Sequence, residues 1–271
     1  MATKRFRLVA VLLLIFVSGF WNKSSARPMH HAHFVHFRHG FFFFSTPRQL
    51  QCETYFNFEA QGNQLTTAVP SVLLRYGIID QLEIRAGMDV QQFTDNESGS
   101  GKWGVTPMQI GAKVRFNRAR KLLPSFALTA GLTLPVIATA RFRQTYYAPL
   151  LLLSAEQDFG SQLSFEYAVG LNWDADNFNR IWLASINMEY DFNSKSSVYA
   201  DAYFIADPLN GNDLHADIGI NRQLHRILLL DYSTGFGLTR AAPDFYTSLG
   251  LQIQVFTKRN HTFKPTGNTL R

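Results

Sequence analysis

The 271-residue chain carries 26 Lys and Arg against 20 Asp and Glu, with a pI near 9.5. The basic side chains are concentrated at its ends: residues 53–256 hold 15 Lys or Arg against all 20 Asp and Glu. A net charge of −5 over that stretch excludes a nucleic-acid-binding face, which would need to be basic, and the single cysteine, Cys52, excludes an internal disulfide framework.

The first 26 residues predict a secretory signal peptide. Lys4, Arg5 and Arg7 precede an uncharged apolar run from Leu8 to Val17, and Ser24, Ser25 and Ala26 offer small residues for cleavage. The run is too short for a spanning helix. Residues 27–52 then form a His- and Phe-rich segment, expected in the periplasm. His30, His31, His33, His36 and His39 crowd together there, and neutral imidazoles are ligands for Zn, Cu or Ni. No nearby Cys or carboxylate completes a defined site, so neither a metal nor a cofactor is assigned. The expectation is that Phe41–Phe44 dock on the downstream domain, at its rim or in its lumen.

From residue 53 onward, apolar and polar residues alternate with a period of two, the signature of strands. Twelve are predicted, over 53–61, 66–76, 81–93, 104–117, 123–135, 144–158, 162–173, 179–192, 197–206, 213–222, 226–238 and 244–256. Tight connections near residues 77–80, 118–122, 159–161, 193–196 and 223–225 alternate with longer ones such as TDNESGSGKW, IATARFRQ and DPLNGN. GSGKWG lacks the spacing and the helix of a phosphate loop and reads as an external loop. Pro107, Pro135 and Pro149 belong at rims or bulges, because proline removes a ladder hydrogen bond. Residues 257–271 are a basic tail.

Pooled across the strands, one face is almost free of charge: it runs through Leu82, Ile84, Met88, Ile110, Val114, Val169, Ile186 and Leu249. The other carries Glu83, Arg85, Asp89, Lys113, Arg115, Glu166, Glu189, Asp201, Asp213, His215 and Asp217. In a soluble sandwich the apolar face would be the core, whereas in a membrane barrel it meets lipid and the charged face lines a lumen. Strands of 11 to 14 residues suit a tilted membrane crossing. Tyr76, Phe116, Phe192 and Phe256 fall near one set of strand ends, and Trp173, Trp182, Phe204 and Phe236 near the other, as two interfacial girdles would. The fold class is therefore all-β: one antiparallel transmembrane barrel of about twelve strands in an up-and-down meander, with both termini in the periplasm. The charged residues are candidate lumen-lining groups, either a selectivity ring or a network filling the interior.

The stretch APLLLLSA, residues 148–155, is apolar on both faces, and RILLLDY repeats this at Ile227 and Leu229. Such a stretch serves either packing against an inward plug or a greasy lumen patch. A barrel enzyme would place a serine beside His215, which stands between Asp213 and Asp217 on one face. Only Ser233 on the next strand matches in parity, and no catalytic residue is assigned.

Three segments in order, LLRYGIIDQLEIRAG (73–87), GVTPMQIGAKVRF (104–116) and PSFALTAGLTLP (124–135), resemble a family of Gram-negative outer-membrane barrels described as the MetA pathway of phenol degradation. The most specific element is the turn Arg75-Tyr76-Gly77, followed by Asp80 and the strand Leu82-Glu83-Ile84-Arg85. The chain departs from the family pattern at Pro107, where members often carry Asp, and ahead of the first strand, where an acidic segment is replaced by the His- and Phe-rich one. The resemblance implies an outer-membrane transporter of small solutes, apolar and aromatic ones included. Its partners would be outer-membrane lipid and the solute. A structural or adhesive barrel and a barrel-borne lipid hydrolase are the alternatives.

Overall fold

A computed structural model describes residues 45–95, 101–118 and 123–256. The predicted signal, His30–His39, Phe41–Phe44, the basic tail and the side chain of Phe256 lie outside the described residues. Thirteen strands follow in chain order: β1 (Gln49–Gln61), β2 (Gln64–Ile79), β3 (Leu82–Asp95), β4 (Gly101–Val105), β5 (Met108–Arg115), β6 (Ser125–Leu134), β7 (Ala148–Phe159), β8 (Leu163–Trp173), β9 (Arg180–Asn193), β10 (Ser196–Asp207), β11 (Gly211–His225), β12 (Leu228–Gly237) and β13 (Phe245–Phe256). β1 begins at Gln49, so the barrel starts four residues ahead of the expected boundary at 53.

The strands form an antiparallel meander, and β13 closes onto β1 with Gln49 opposite Phe256 and Ala60 opposite Phe245. Closure leaves no edge strand, the only way a sheet can satisfy its backbone in hydrocarbon. β4 and β5 both pair with β3, against Val90–Thr94 and Leu82–Gly87 respectively. They are one crossing in two pieces, and the barrel therefore has twelve crossings.

The unbroken strand expected over 104–117 is thus split at Thr106-Pro107. Pro107 has no N–H to give the ladder, and its neighbours bond elsewhere. The Thr106 amide donates to the Asp89 carbonyl at 2.9 Å, the Asp89 amide donates to Thr106 Oγ1 at 2.9 Å, and the Met108 amide donates to the Ile137 carbonyl at 3.2 Å. Pro135 falls just past the end of β6 and Pro149 is the second residue of β7, both at a rim.

One rim carries the short turns after β2, β7, β9 and β11 together with the start of β1 and the end of β13. The other carries the two-residue turn after β1 and the longer connections, including residues 135–147, in which a 3-10 turn, Ala140–Phe142, buries Phe142. By the outer-membrane pattern the first rim is periplasmic.

Side-chain polarity is inverted relative to a soluble core. Ile84 is 45% exposed and Ile186 44%, whereas Glu83 between its apolar neighbours is 0% exposed. Leu151 and Leu153 likewise point out while Leu150 and Leu152 are buried. The sandwich alternative fails on this point, because its apolar face would be the hidden one. Phe116 and Phe192 are exposed at the short-turn end, as are Trp182 and Phe236 at the other. Two aromatic belts thus bracket the apolar band.

Candidate functional site: the lumen

Glu83, Arg85, Asp89, Lys113, Glu166, Glu189, Asp201, Asp213, His215 and Asp217 are buried and Arg115 is half-buried, in separate groups rather than one ring. The periplasmic half is built around Arg75, which reaches inward from β2. Its Nε and Nη2 donate to Glu83 Oε1 and Oε2 at 2.9 and 3.1 Å, a bidentate fork, and its Nη1 donates to Glu53 Oε1 at 2.8 Å. Arg85 Nε adds a bond to Glu83 Oε1 at 2.6 Å. Glu53 also accepts from Gln51 at 2.7 Å and from the Tyr55 hydroxyl at 3.2 Å. Arg75 is 1% exposed and Glu53 2%, burial that a charge tolerates only when its partners are this complete. Lys113 is fully buried beside them, opposite Glu83 in the β3–β5 ladder.

Sequence reasoning singled out Glu83, Arg85 and Lys113 but missed Glu53 and Arg75. Their parity, opposite to that of the apolar Phe56 and Leu74, is the available signal. Gln51, Glu53, Arg75 and Glu83 lie on three neighbouring strands, and only the register shows that they converge.

The same network receives the chain leading into β1. The Ser45 amide donates to Glu83 Oε2 at 2.6 Å, and Ser45 is 1% exposed. Pro47 bridges to Gly77, and the Arg48 amide donates to the Gly77 carbonyl at 2.7 Å. A Cβ on Gly77 would overlap the carbonyl oxygens of Ser45 and Thr46. The Arg-Tyr-Gly turn therefore has a structural reason. Its arginine anchors the lumen network, and its glycine lets the entering chain lie against β2.

Across the lumen, β10 is the crossing diametrically opposite β3. The wall from β8 to β12 is acidic, presenting Glu166, Glu189, Asp201, Asp213, Asp217 and Asp231, all buried. Three tyrosines on this side donate their hydroxyls to three of these carboxylates: Tyr199 to Asp231 at 2.9 Å, Tyr203 to Asp201 at 3.0 Å, and Tyr246 to Asp217. Tyr199 lies against Gly219 and Tyr246 against Gly235, where a Cβ would overlap the ring. Each glycine so lets a ring lie flat on the wall rather than cross the lumen. His215 Nδ1 lies 2.7 Å from Asp213 Oδ1, with its ring stacked on Tyr203 at 5.2 Å and edge-on to Tyr246 at 5.5 Å.

Glu189 accepts from Ser197 and from Asn221, and Asp201 also accepts from Asn187. Asp89 is bonded by Ser71 and stays on the β3 side. Arg115 ends β5 at the periplasmic rim.

Leu150, Ile181, Leu183 and Ile205 form a buried apolar cluster on β7, β9 and β10. APLLLLSA therefore contributes a greasy patch to the interior. Ile227, by contrast, is exposed in the turn after β11. Above the patch's level Phe142 stacks on Phe93 at 5.6 Å and fills the space over Gly104, so the connection 135–147 folds inward at the outer end.

Ser233 and His215 are not brought together as a nucleophile and its base. Ser233 is opposite Gly219, whereas His215 is opposite Gly237. The Ser233 hydroxyl has no hydrogen-bond partner, so it is not paired with His215. Among the described residues no three His, Cys, Asp or Glu side chains converge to hold a metal ion.

Residues 44–255 match the family model described as "Putative MetA-pathway of phenol degradation". Among solved structures, the chain is similar to the COG4313 outer membrane channel from Pseudomonas putida F1, at 13% identity and TM-score 0.64, covering 78% of this chain and 97% of that one. It is also similar to the KdgM porin in complex with disordered oligogalacturonate, at 7% identity and TM-score 0.53, covering 76% and 98%. These likenesses establish the barrel fold. No curated protein matches the chain by sequence.

Proposed function

The chain belongs to the "Putative MetA-pathway of phenol degradation" family, which its match over residues 44–255 establishes, and from that premise we propose that it is an outer-membrane channel for small solutes with apolar or aromatic bodies. The observation that carries the reading is the closed twelve-crossing barrel whose interior joins a charged wall to an apolar patch of Leu150, Ile181, Leu183 and Ile205. Eight crossings leave an interior just filled by side chains, and sixteen or more leave an open aqueous pore. Twelve supports a narrow passage suited to small molecules. Glu83, Arg85, Lys113, Glu166, Glu189, Asp201, Asp213, His215 and Asp217 are its lining groups, with Asp89 and Arg115 toward one side and one rim. The protein acts without catalysis, and residues 1–26 serve as its export signal.

A filled, structural barrel is the second reading. It is favoured by the near-complete burial of Arg75, Glu83 and Lys113. Conductance across planar bilayers and solute entry into liposomes separate the two, measured on the mature chain and on one lacking residues 27–44. The channel reading expects flux in at least one form. Absence of flux in both contradicts it.

A further inference from the structure

We propose that the lumen binds organic ammonium ions: small molecules carrying a protonated amine on an apolar or aromatic body. This rests on the channel reading and names the class of solute it would pass. Asp201 and Asp217 are direct partners across the β10–β11 ladder, 3% and 4% exposed. Like charges so placed repel each other, and the side chains sit too deep for water to screen them well. Among the described residues neither carboxylate has a Lys or Arg within ion-pair distance. The lumen-facing Arg75, Arg85, Lys113 and Arg115 are on β2, β3 and β5, across the barrel, and the nearby imidazole of His215 is turned to Asp213 through Nδ1.

Two further observations point to a ligand rather than to mere neglect of a charge. Asp217 spends Oδ2 on the Tyr246 hydroxyl, while its Oδ1 has no hydrogen-bond partner. Ser233, wholly buried on the adjacent strand between the levels of Asp217 and Asp231, also has a hydroxyl without a partner. Both are acceptors for N–H donors, and an ammonium supplies up to three. Tyr203, one face of which is stacked on His215, and Tyr246 put aromatic rings beside the two carboxylates that their hydroxyls bond, which favours a cation further.

The apolar half of the ligand is matched as well. Along β10 the inward residues run Ile205, Tyr203, Asp201, and Ile205 belongs to the greasy cluster with Leu150, Ile181 and Leu183. One wall thus passes from aliphatic to aromatic to anionic over five residues, 201–205. A neutral aromatic compound would use only the first two parts of it, and an anion would be repelled by the third.

The test is calorimetric titration of the full chain in detergent micelles with 2-phenylethylammonium and with 2-phenylethanol, its uncharged isostere. The expected result is that the ammonium binds at least about tenfold tighter, the worth of a single charge-assisted hydrogen bond in a buried site. In Asp217→Asn and in Asp201→Asn the ratio of the two affinities should fall toward one, with folding checked by heat-modifiable migration. Equal affinities in the unaltered chain, no binding of either compound, or a preference that survives both substitutions would overturn the inference. None of those outcomes touches the channel reading, which is judged by flux. Conversely, ammonium binding without flux would sustain the site and refute the channel.

Discussion

Replacing Arg75 by methionine tests the periplasmic network most sharply. The substitution keeps much of the side chain's apolar volume but removes three hydrogen bonds to two carboxylates, at 2.8, 2.9 and 3.1 Å. Glu53 and Glu83 stay buried, now without their shared cation. Deleting one partner of a buried ion pair costs about 3–5 kcal/mol, because the remaining charge is left uncompensated. Here Glu83 keeps Arg85 and the Ser45 amide, and Glu53 keeps Gln51 and Tyr55. The loss should therefore lie near the lower figure, ~3 kcal/mol. Arg118→Met serves as the contrast: its pair with Asp80 at 3.1 Å has side chains 70% and 52% exposed, and such pairs are worth below about 1 kcal/mol. Urea unfolding of the protein folded into phospholipid vesicles, followed by tryptophan fluorescence, measures both. Adding Glu53→Gln to Arg75→Met should recover part of the loss, a non-additivity expected of groups in one network. An Arg75→Met protein within about 1 kcal/mol of the unaltered one, or strict additivity with Glu53→Gln, would refute the reasoning.

Two other substitutions probe the wall itself. Gly219→Ala places a methyl where the Tyr199 ring lies, so it should destabilise by about 1–3 kcal/mol as overpacking does. The penalty should shrink in a Tyr199→Ser background, which the same unfolding assay reads. Leu153→Arg puts a charge on the lipid face near the middle of β7, where Leu153 is 44% exposed. The expected cost is about 2–4 kcal/mol in a bilayer, and a neutral outcome there would mean that this face does not meet hydrocarbon.

The alternation of apolar and polar residues was enough to place all twelve crossings, and most strand ends fall within one or two residues of those expected. β10, predicted over 197–206, spans Ser196–Asp207. This works because a one-residue slip would turn every charged side chain toward lipid. What the period could not supply is register. Arg75 meets Glu53 and Glu83 only through ladders that absorb a bulge between Ala68 and Ser71, and nothing local marks that shift except Pro70. The tyrosine–glycine contacts depend on the same information. Gly219 and Gly235 read as weak points in their strands until Tyr199 and Tyr246 are set opposite them. The break at Pro107 was legible as a missing donor, but the bond from Met108 to Ile137 that replaces it comes from a connection whose inward fold no pattern announces.

Ser185 and Ile186 are adjacent on β9 and point to opposite sides of the wall, Ser185 half-buried toward the lumen and Ile186 44% exposed outward. In a Cys52→Ser background, each is changed to cysteine and treated with a membrane-impermeant charged thiol reagent while bilayer conductance is recorded. Reaction at Ser185→Cys with a fall in conductance, and no reaction at Ile186→Cys, is the predicted result. Labelling of Ile186→Cys from water, or a conductance indifferent to modification at Ser185→Cys, would contradict a passage that runs through a polar lumen inside an apolar shell.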